Sequence, residues 1–208
     1  MVSARLLCCL LITQLKMAHN YHFSCTQTDR FVRLTLFFYT AIGYSNGDLI
    51  RNRNNKMDVQ IVTREALNLA YIRVIGPYAE TMPGGFERLV QWAAPRNLLA
   101  GEWFALYWDN PQVTPAEQLR TDVALSVPTG TEVAGEVELQ TLPAGLYACH
   151  RCRVENDDFA TPWLALFNEW LPNSGYQLAE GPCFDQYLND GQEAGYWDLL
   201  ICIPVLPK

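Results

Sequence analysis

Residues 103–110, Trp-Phe-Ala-Leu-Tyr-Trp-Asp-Asn, correspond to residues 183–190, Cys-Phe-Asp-Gln-Tyr-Leu-Asn-Asp. Each stretch is an apolar and aromatic run that predicts a β-strand, and each ends in polar residues typical of a turn. Tyr107 and Tyr187 take the same place in the two runs. A pattern that recurs in this way predicts a structural repeat.

The elements around the first run are a strand, a helix and a second strand. The first strand is predicted over Leu69–Ile75, and the last over Asp122–Val127, which Pro128 closes. Between them a half-buried helix, which Pro95 ends, is indicated by apolar residues three or four positions apart: Phe86, Leu89, Val90 and Ala93.

The same order of elements follows in the second half. Strands are predicted over Tyr147–Val154 and Asp198–Pro204, on either side of residues 183–190. Thr161 and Pro162 are suited to the N-cap and first turn of a helix. The apolar face of that helix, which Pro172 is expected to end, comprises Trp163, Leu164, Phe167, Trp170 and Leu171.

Matching residues of the two halves keep a nearly constant offset in the chain, as Trp92 with Trp170 and Asp122 with Asp198 show. We therefore predict an α+β domain built as a pseudo-twofold tandem β-α-β-β repeat. Its strands are antiparallel, its helices pack on one face, and a central cleft lies at the junction of the halves. The halves span about 57–128 and 145–208, joined by a linker, and residues 114–117 begin a short helical turn.

Residues 1–56 differ from the rest of the chain in charge. They carry seven basic and two acidic side chains, and their apolar run, Leu6–Leu15, is too short to span a membrane. We expect an extension that is outside the fold and poorly ordered, with Met57 as the natural first residue. A membrane or export segment is the alternative interpretation.

Residues 57–208 carry eight basic and 20 acidic side chains, a net charge of −12. DNA affinity comes mainly from Lys and Arg contacts to phosphates, so direct nucleic-acid binding is not expected. The charge suits a basic protein partner or a cationic small molecule. The alternative is that these charges form a solvated surface that keeps the protein soluble.

The cysteines of the domain do not form a metal-binding pattern. Cys149 and Cys152 have the spacing C-x-x-C, but they lie in a predicted strand, where residues three apart point to opposite faces. No second pair completes a zinc site. We therefore expect buried, reduced thiols, no metal or other cofactor, and a cytoplasmic location.

The ordered motifs of the chain from Met57 to Lys208 resemble those of the DNA gyrase inhibitor family, within the GyrI-like superfamily. The matching segments are Val74-Ile75-Gly76-Pro77-Tyr78, Gly85-Phe86-Glu87 with Trp92, Tyr107-Trp108-Asp109-Asn110-Pro111 leading to Thr114-Pro115-Ala116-Glu117-Gln118-Leu119-Arg120, Asp157-Asp158-Phe159-Ala160 with Pro162-Trp163, and Gly195-Tyr196-Trp197-Asp198.

The resemblance implies a stress-response protein that binds DNA gyrase, restrains its supercoiling activity and protects cells from toxins that act through this topoisomerase. The superfamily also includes effector-binding domains of multidrug-sensing activators and some small-molecule hydrolases. In those relatives an acidic side chain in an aromatic cleft contacts the ligand.

Asp185 is the main candidate for such an acid. It shares a strand face with Cys183 and Tyr187, and the first half has no acid at the corresponding positions, Trp103, Ala105 and Tyr107. The repeat itself therefore does not require an acid here. Asp185 could bind a cation by charge pairing, with cation–π contacts from aromatic rings; the alternative is an ordinary exposed strand residue.

The other candidates are aromatic, apart from Asp198. Trp163 and Phe167 lie on the apolar helix face, where core packing is the alternative. Asp198 matches Asp122, which suggests a structural role, and the superfamily favours Glu over Asp at these positions. The candidate cleft residues are Asp185, Tyr187, Tyr107, Trp163, Phe167, Tyr196 and Asp198.

Enzymatic function is not expected. His150, the one histidine of residues 57–208, lies in a predicted strand, and no glycine-rich phosphate loop follows a strand. We predict a non-enzymatic gyrase inhibitor acting by protein–protein contact. The alternatives are a small-molecule binding protein and a hydrolase.

Overall fold

The computed structural model of the chain describes residues 57–208. The predictions made for residues 1–56 lie outside the described residues. No helix among residues 57–208 combines the length and the apolar character needed to cross a membrane.

Nine strands make up most of the domain: β1 (Gln60–Arg64), β2 (Leu67–Ile75), β3 (Trp103–Tyr107), β4 (Arg120–Ser126), β5 (Glu138–Leu142), β6 (Gly145–Val154), β7 (Tyr176–Leu178), β8 (Cys183–Tyr187) and β9 (Trp197–Pro207). The helices are α1 (Tyr78–Ala93), α2 (Ala160–Ala165), α3 (Leu171–Asn173) and α4 (Gly191–Ala194). A π-helical segment, Leu166–Trp170, joins α2 to α3, so that these three form one continuous second helix.

The strands form one antiparallel sheet in the order β1-β6-β9-β8-β3-β4-β2-β5, with β7 added on β9. The two halves meet where β3 pairs with β8. The predicted repeat is confirmed, because the strands β1, β2, β3 and β4 of the first half recur in the same order as β5, β6, β8 and β9, with a helix after the second strand in each half.

Each half gives one strand to the other half. β1 directly precedes β2 in the chain but pairs with β6, whereas β5 directly precedes β6 but pairs with β2. Only Glu65 and Ala66 separate β1 from β2, and only Pro143 and Ala144 separate β5 from β6. The two ends of the sheet are therefore held close together, and the sheet is strongly curled.

Both helices cover the same face of this sheet, as predicted. α1 packs Leu89 and Ala93 against β2 and β4, and the second helix packs Leu166 against β9. The opposite face encloses a second core, centred on Phe104 and Phe184, to which all eight strands of the main sheet contribute. Burial of apolar surface on both faces holds the curled sheet together.

Several local predictions were wrong. β5 lies inside the predicted linker, and β1 and β7 were not predicted. The second helix begins at Ala160, where Asp158 accepts hydrogen bonds from the backbone and hydroxyl of Thr161, so Thr161 is not its N-cap. Leu164 is 48% exposed and lies off the apolar face. A short 3₁₀ turn does form at Ala116–Gln118, but without a side-chain cap.

The expectation of reduced thiols is wrong for one pair, because Cys149 and Cys202 form a disulfide. The cause is the strand register, which places the two residues directly opposite each other on β6 and β9. Cys152 and Cys183 are free thiols. Cys149 belongs to the inner core and Cys152 packs on the helix side, which confirms that they point to opposite faces.

Candidate functional site

Asp185 lies at the junction of the two halves, on the face of the sheet that the helices cover. On β8 it is flanked by Ala105 of β3 and Ile201 of β9. Its side chain is completely buried. The Tyr107 hydroxyl donates a hydrogen bond of 2.6 Å to Asp185 Oδ2. Asp185 is therefore not an ordinary exposed strand residue.

Aromatic rings from both halves surround this carboxyl group. On one side Tyr107 contacts Tyr78 and Trp163, with ring centroids 5.1 and 5.7 Å apart, and Trp163 stacks on Phe167 at 5.9 Å. On the other side Tyr187 contacts Phe86 of α1 and Trp197 of β9, each at 5.4 Å. We call this group the Asp185 cluster: Asp185, Tyr78, Phe86, Tyr107, Trp163, Phe167, Tyr187 and Trp197.

Close packing of α1 on the sheet brings its aromatic residues to this position. Gly85 of α1 faces β2 and β4, and a Cβ atom there would lie 2.8 Å from Val74 and 3.0 Å from Val123. Contacts that short do not occur without displacement, so a glycine is needed for this helix position. The neighbouring Phe86 can then reach Tyr187.

Burial controls the ionisation of the cluster. Loss of hydration raises the pKa of Asp185 from 3.8 to about 7, although its interactions with Tyr107 and Trp163 lower it. Burial also raises the pKa of Tyr107 and of Tyr187 well above 10.0. Asp185 Oδ1 is buried and, among the described residues, receives no hydrogen bond of normal geometry. The site therefore holds one acid that can lose its proton near neutral pH and has an unused acceptor atom.

The structure brings together most, but not all, of the predicted cleft residues. Tyr107, Trp163, Phe167 and Tyr187 surround Asp185, as described above. Tyr196 and Asp198 were predicted to line the same cleft, and this grouping must be corrected.

Asp198 lies on the other side of the sheet from the Asp185 cluster because side chains alternate along β9, and Tyr196, which precedes β9, contacts Arg153 instead of the cluster. Leu199 of β9 packs on the helix side, so the adjacent Asp198 points to the opposite face. There it accepts hydrogen bonds of 3.0 and 2.5 Å from Arg151. The Tyr196 ring lies 3.6 Å from the guanidinium of Arg153.

Asp122, the residue matched with Asp198 in the sequence, lies in a network of hydrogen bonds and an ion pair. It is completely buried. Arg73 donates two hydrogen bonds to it, of 2.7 and 2.9 Å, and Trp108 and Gln140 donate two more, of 2.7 and 3.0 Å. Arg73 of β2 and Arg151 of β6 take equivalent places in the repeat, but Arg73 stands opposite Asp122 whereas Arg151 stands opposite Leu200. The Arg151–Asp198 pair is therefore displaced by two residues along β9 from the position of Asp122, and the match of Asp122 with Asp198 in the sequence is not a structural equivalence. This agrees with a structural role for both acids.

Sequence reasoning did not propose Tyr78, Phe86 and Trp197 as site residues. Phe86 was assigned to the apolar face of α1, and that face does point towards the cluster. Tyr78 and Trp197 lie at the first position of α1 and of β9, where periodicity gives no signal about orientation. The Tyr78–Tyr107 contact depends on how α1 is placed over β3.

The arrangement favours binding over catalysis. The Nδ1–H group of His150 donates a hydrogen bond of 2.7 Å to the backbone oxygen of Asp58. Burial and the charge of Asp185 raise the pKa of Cys183 to about 12, so this thiol stays protonated at neutral pH. No group of three or more His, Cys, Asp or Glu side chains within residues 57–208 is arranged to hold a metal ion.

Comparisons with known proteins agree with the fold and extend over the described domain. The model of the GyrI-like family, described as a GyrI-like small molecule binding domain, matches residues 57–206. The DNA gyrase inhibitor of Erwinia billingiae is 45% identical over 152 residues, which cover 72% of this chain and 97% of that protein. The DNA gyrase inhibitor of Escherichia coli K12 is 41% identical over 155 residues, covering 73% and 99%.

Solved structures of more distant proteins share the architecture. The C-terminal domain of EcmrR superposes with a TM-score of 0.58 at 16% identity, over 73% of this chain and 99% of that one. SAV2435 bound to tetraphenylphosphonium superposes with a TM-score of 0.51 at 15% identity, over 72% and 94%. At these identities the similarity establishes the fold.

Proposed function

Because this chain belongs to the GyrI-like family and to its DNA gyrase inhibitors, we propose that it inhibits gyrase by binding the enzyme directly. Inhibition restrains supercoiling and protects the cell from toxins that act through gyrase. The observation that carries this proposal is the identity of 41–46% to gyrase inhibitors along nearly their whole length. The proposed role is inhibition and not catalysis.

The charges of the domain support contact with protein and not with DNA. Five of the eight basic side chains of residues 57–208 form ion pairs with carboxylates: Arg73, Arg88, Arg120, Arg151 and Arg153. Few cations are left to neutralise phosphates, on which DNA affinity mainly depends. An acidic surface is instead attracted to the basic surfaces with which an enzyme binds DNA. We propose that the chain competes for such a surface on gyrase.

A supercoiling assay tests this proposal. In excess over gyrase, residues 57–208 should reduce the rate of supercoiling by more than half, and raising the salt concentration should weaken the effect because salt screens exposed charges. A type I topoisomerase serves as control and should keep its activity. Unchanged gyrase activity at large excess, with no co-purification of gyrase, would exclude the proposed function.

A second function is favoured by the Asp185 cluster, namely binding of a lipophilic cation. The cluster combines a buried carboxyl group with an unused acceptor oxygen and several aromatic rings. A carboxylate and aromatic faces together stabilise an organic cation once it is desolvated. The family is described as small molecule binding, and SAV2435 was solved with such a cation.

Calorimetric titration with tetraphenylphosphonium tests this second function. At pH 8, Asp185→Asn should weaken binding by about tenfold or more, since it removes the one charge of the cluster. Wild-type affinity should rise from pH 6 to pH 8 as Asp185 loses its proton. Asp198→Asn, which removes an acid on the opposite face, is the matched control and should bind like wild type. Equal affinity of the two variants would refute the role of Asp185.

A further inference from the structure

The disulfide between Cys149 and Cys202 joins two neighbouring strands inside the inner core. The two residues are 53 positions apart in the chain and directly opposite each other in the register of β6 and β9. Both side chains are buried. We propose that Cys149 and Cys202 are a reversible thiol–disulfide exchange site, which opens and closes with the redox state of the surroundings.

The backbone geometry allows both states of the pair. The Cα atoms are 4.3 Å apart, close to the separation of any directly opposed, non-hydrogen-bonded pair of antiparallel strands. The strands are held at this distance by the β6–β9 ladder, which runs from Tyr147 to Val154. Closing or opening the disulfide therefore requires no rearrangement of the sheet. In the open state, two thiols behave as small apolar side chains and remain compatible with the core.

Arg64 gives Cys202 the environment of a reactive sulfur. Its Nη2 atom lies 4.0 Å from the Cys202 Sγ atom. The same side chain is held in place by a hydrogen bond of 2.8 Å to Gln186 and by the ring of Phe184 beneath it, 5.3 Å away. A fixed guanidinium next to a cysteine favours the thiolate, which is the form that attacks disulfides.

The other two cysteines of the domain lack such a neighbour. Cys152 and Cys183 lie on the helix side of the sheet, and the negative charge of Asp185 acts on both. Burial and that charge raise the pKa of each thiol to about 12. Thiols in this state do not exchange at neutral pH. Cys149 and Cys202 are more deeply buried than these two thiols, so the feature that distinguishes the pair is the neighbouring Arg64 guanidinium.

The reaction needs a low-molecular-weight disulfide as the oxidant. The Cys202 thiolate attacks one sulfur of the small disulfide, whose sulfur–sulfur bond breaks and releases one small thiol. Cys149, after losing its proton, attacks the Cys202 sulfur of the mixed disulfide and displaces the second small thiol. Two protein thiols are thus oxidised, one small disulfide is reduced to two thiols, and the two protons pass to them.

Edge strand β1 controls access to the buried sulfurs. Within the described residues, β6 is the one strand with which β1 pairs, and most residues of β1 are exposed. Gln60 lies opposite Cys149 in the register and Arg64 is on the same face. Local separation of a short edge strand costs less than global unfolding. Opening at the Gln60 end of β1 would give a small thiol or disulfide access to the sulfurs, while Arg64, held by Gln186 at the other end of the strand, stays beside Cys202.

Equilibration with glutathione tests the proposal on the full chain. The protein is incubated in a series of reduced and oxidised glutathione mixtures, free thiols are trapped with iodoacetamide, and peptides are mapped by mass spectrometry. A cross-linked peptide joining Cys149 to Cys202 should increase with the oxidised share and disappear in excess reduced glutathione. Recovery of both cysteines as carbamidomethylated thiols at the most oxidising ratio would overturn the proposal.

Thermal unfolding gives a second readout with matched controls. Closing a loop of this length should raise the unfolding midpoint by about 5–15 °C in the oxidised form. Cys152→Ser with Cys183→Ser should keep this difference, whereas Cys149→Ala with Cys202→Ala should abolish it. A difference that persists in the Cys149 and Cys202 variant would assign the redox response to other cysteines and refute the site.

Arg64→Gln tests the assigned role of the guanidinium. The rate of mixed-disulfide formation at Cys202 should fall by about tenfold, because the thiolate loses its positive neighbour. Arg151→Gln, an arginine on the same strand as Cys149, should leave the rate unchanged. Equal rates in both variants would show that Arg64 does not activate Cys202. Neither redox experiment depends on gyrase inhibition.

Discussion

Replacing Asp185 by asparagine is expected to stabilise the protein above pH 7 and to remove much of the pH dependence of its stability. The pKa of Asp185 is raised from 3.8 to about 7 in the folded state, so the folded chain holds a proton that the unfolded chain releases. The stabilisation that the protonated Asp185 carboxyl group contributes is then greatest below about pH 4, and this contribution is lost as the pH rises to about 7. At 1.36 kcal/mol for each pKa unit, the loss is about 4 kcal/mol.

Urea unfolding of both proteins at several pH values measures this effect. The free energy of unfolding of the wild type should decrease from pH 5 to pH 8 relative to that of Asp185→Asn. Asp198→Asn is the control, since Asp198 is paired with Arg151 and partly exposed, and it should not gain stability at high pH. If the wild type and Asp185→Asn follow parallel curves, the carboxyl group is not buried in the protonated form.

Replacing Asp122 by alanine is expected to destabilise the fold by about 3–5 kcal/mol, the usual loss when one partner of a buried ion pair is removed. Asp122 is 0% exposed and accepts four hydrogen bonds from three side chains, Arg73, Trp108 and Gln140. The 40% exposure of Arg73 limits the cost of leaving it unpaired, so we expect the lower end of this range.

Asp198→Ala, which removes the acid of another Arg–Asp pair on the same face of the sheet, is the control for Asp122→Ala. Its ion pair with Arg151 lies two residues along β9 from the position equivalent to that of Asp122, and the two side chains are 22% and 68% exposed. Exposed pairs contribute about 1 kcal/mol or less. The thermal midpoint should fall by about 8 °C or more for Asp122→Ala and by less than about 4 °C for Asp198→Ala. Equal losses would mean that burial does not determine the strength of these two Arg–Asp pairs.

The repeated strands and helices could be predicted because their own residues carry the pattern. Aromatic and apolar anchors recur in the same order, and the nearly constant offset indicates two equivalent halves. The edge strands β1 and β5 could not be recognised in the same way. They are short and largely exposed, and each becomes a strand only because the other half supplies its partner.

The candidate site was partly predictable for a similar reason. Asp185 was singled out because the first half has no acid at that position, but its complete burial depends on rings from α1, α2 and β9. Asp198 was grouped with it although alternation along β9 turns the side chain to the opposite face. The disulfide follows from the register between two distant segments, which local sequence patterns do not specify.

The exchange of β1 and β5 between the halves also affects how the protein is made. On the ribosome, β2, β3, β4 and β5 can assemble as soon as residue 142 has emerged, because these four strands pair with one another. β1 is synthesised before all of them, yet its partner β6 begins only at Gly145. The earliest strand of the nascent domain therefore remains without its ladder while most of the first half is already in place, and it must be kept from wrong partners during translation.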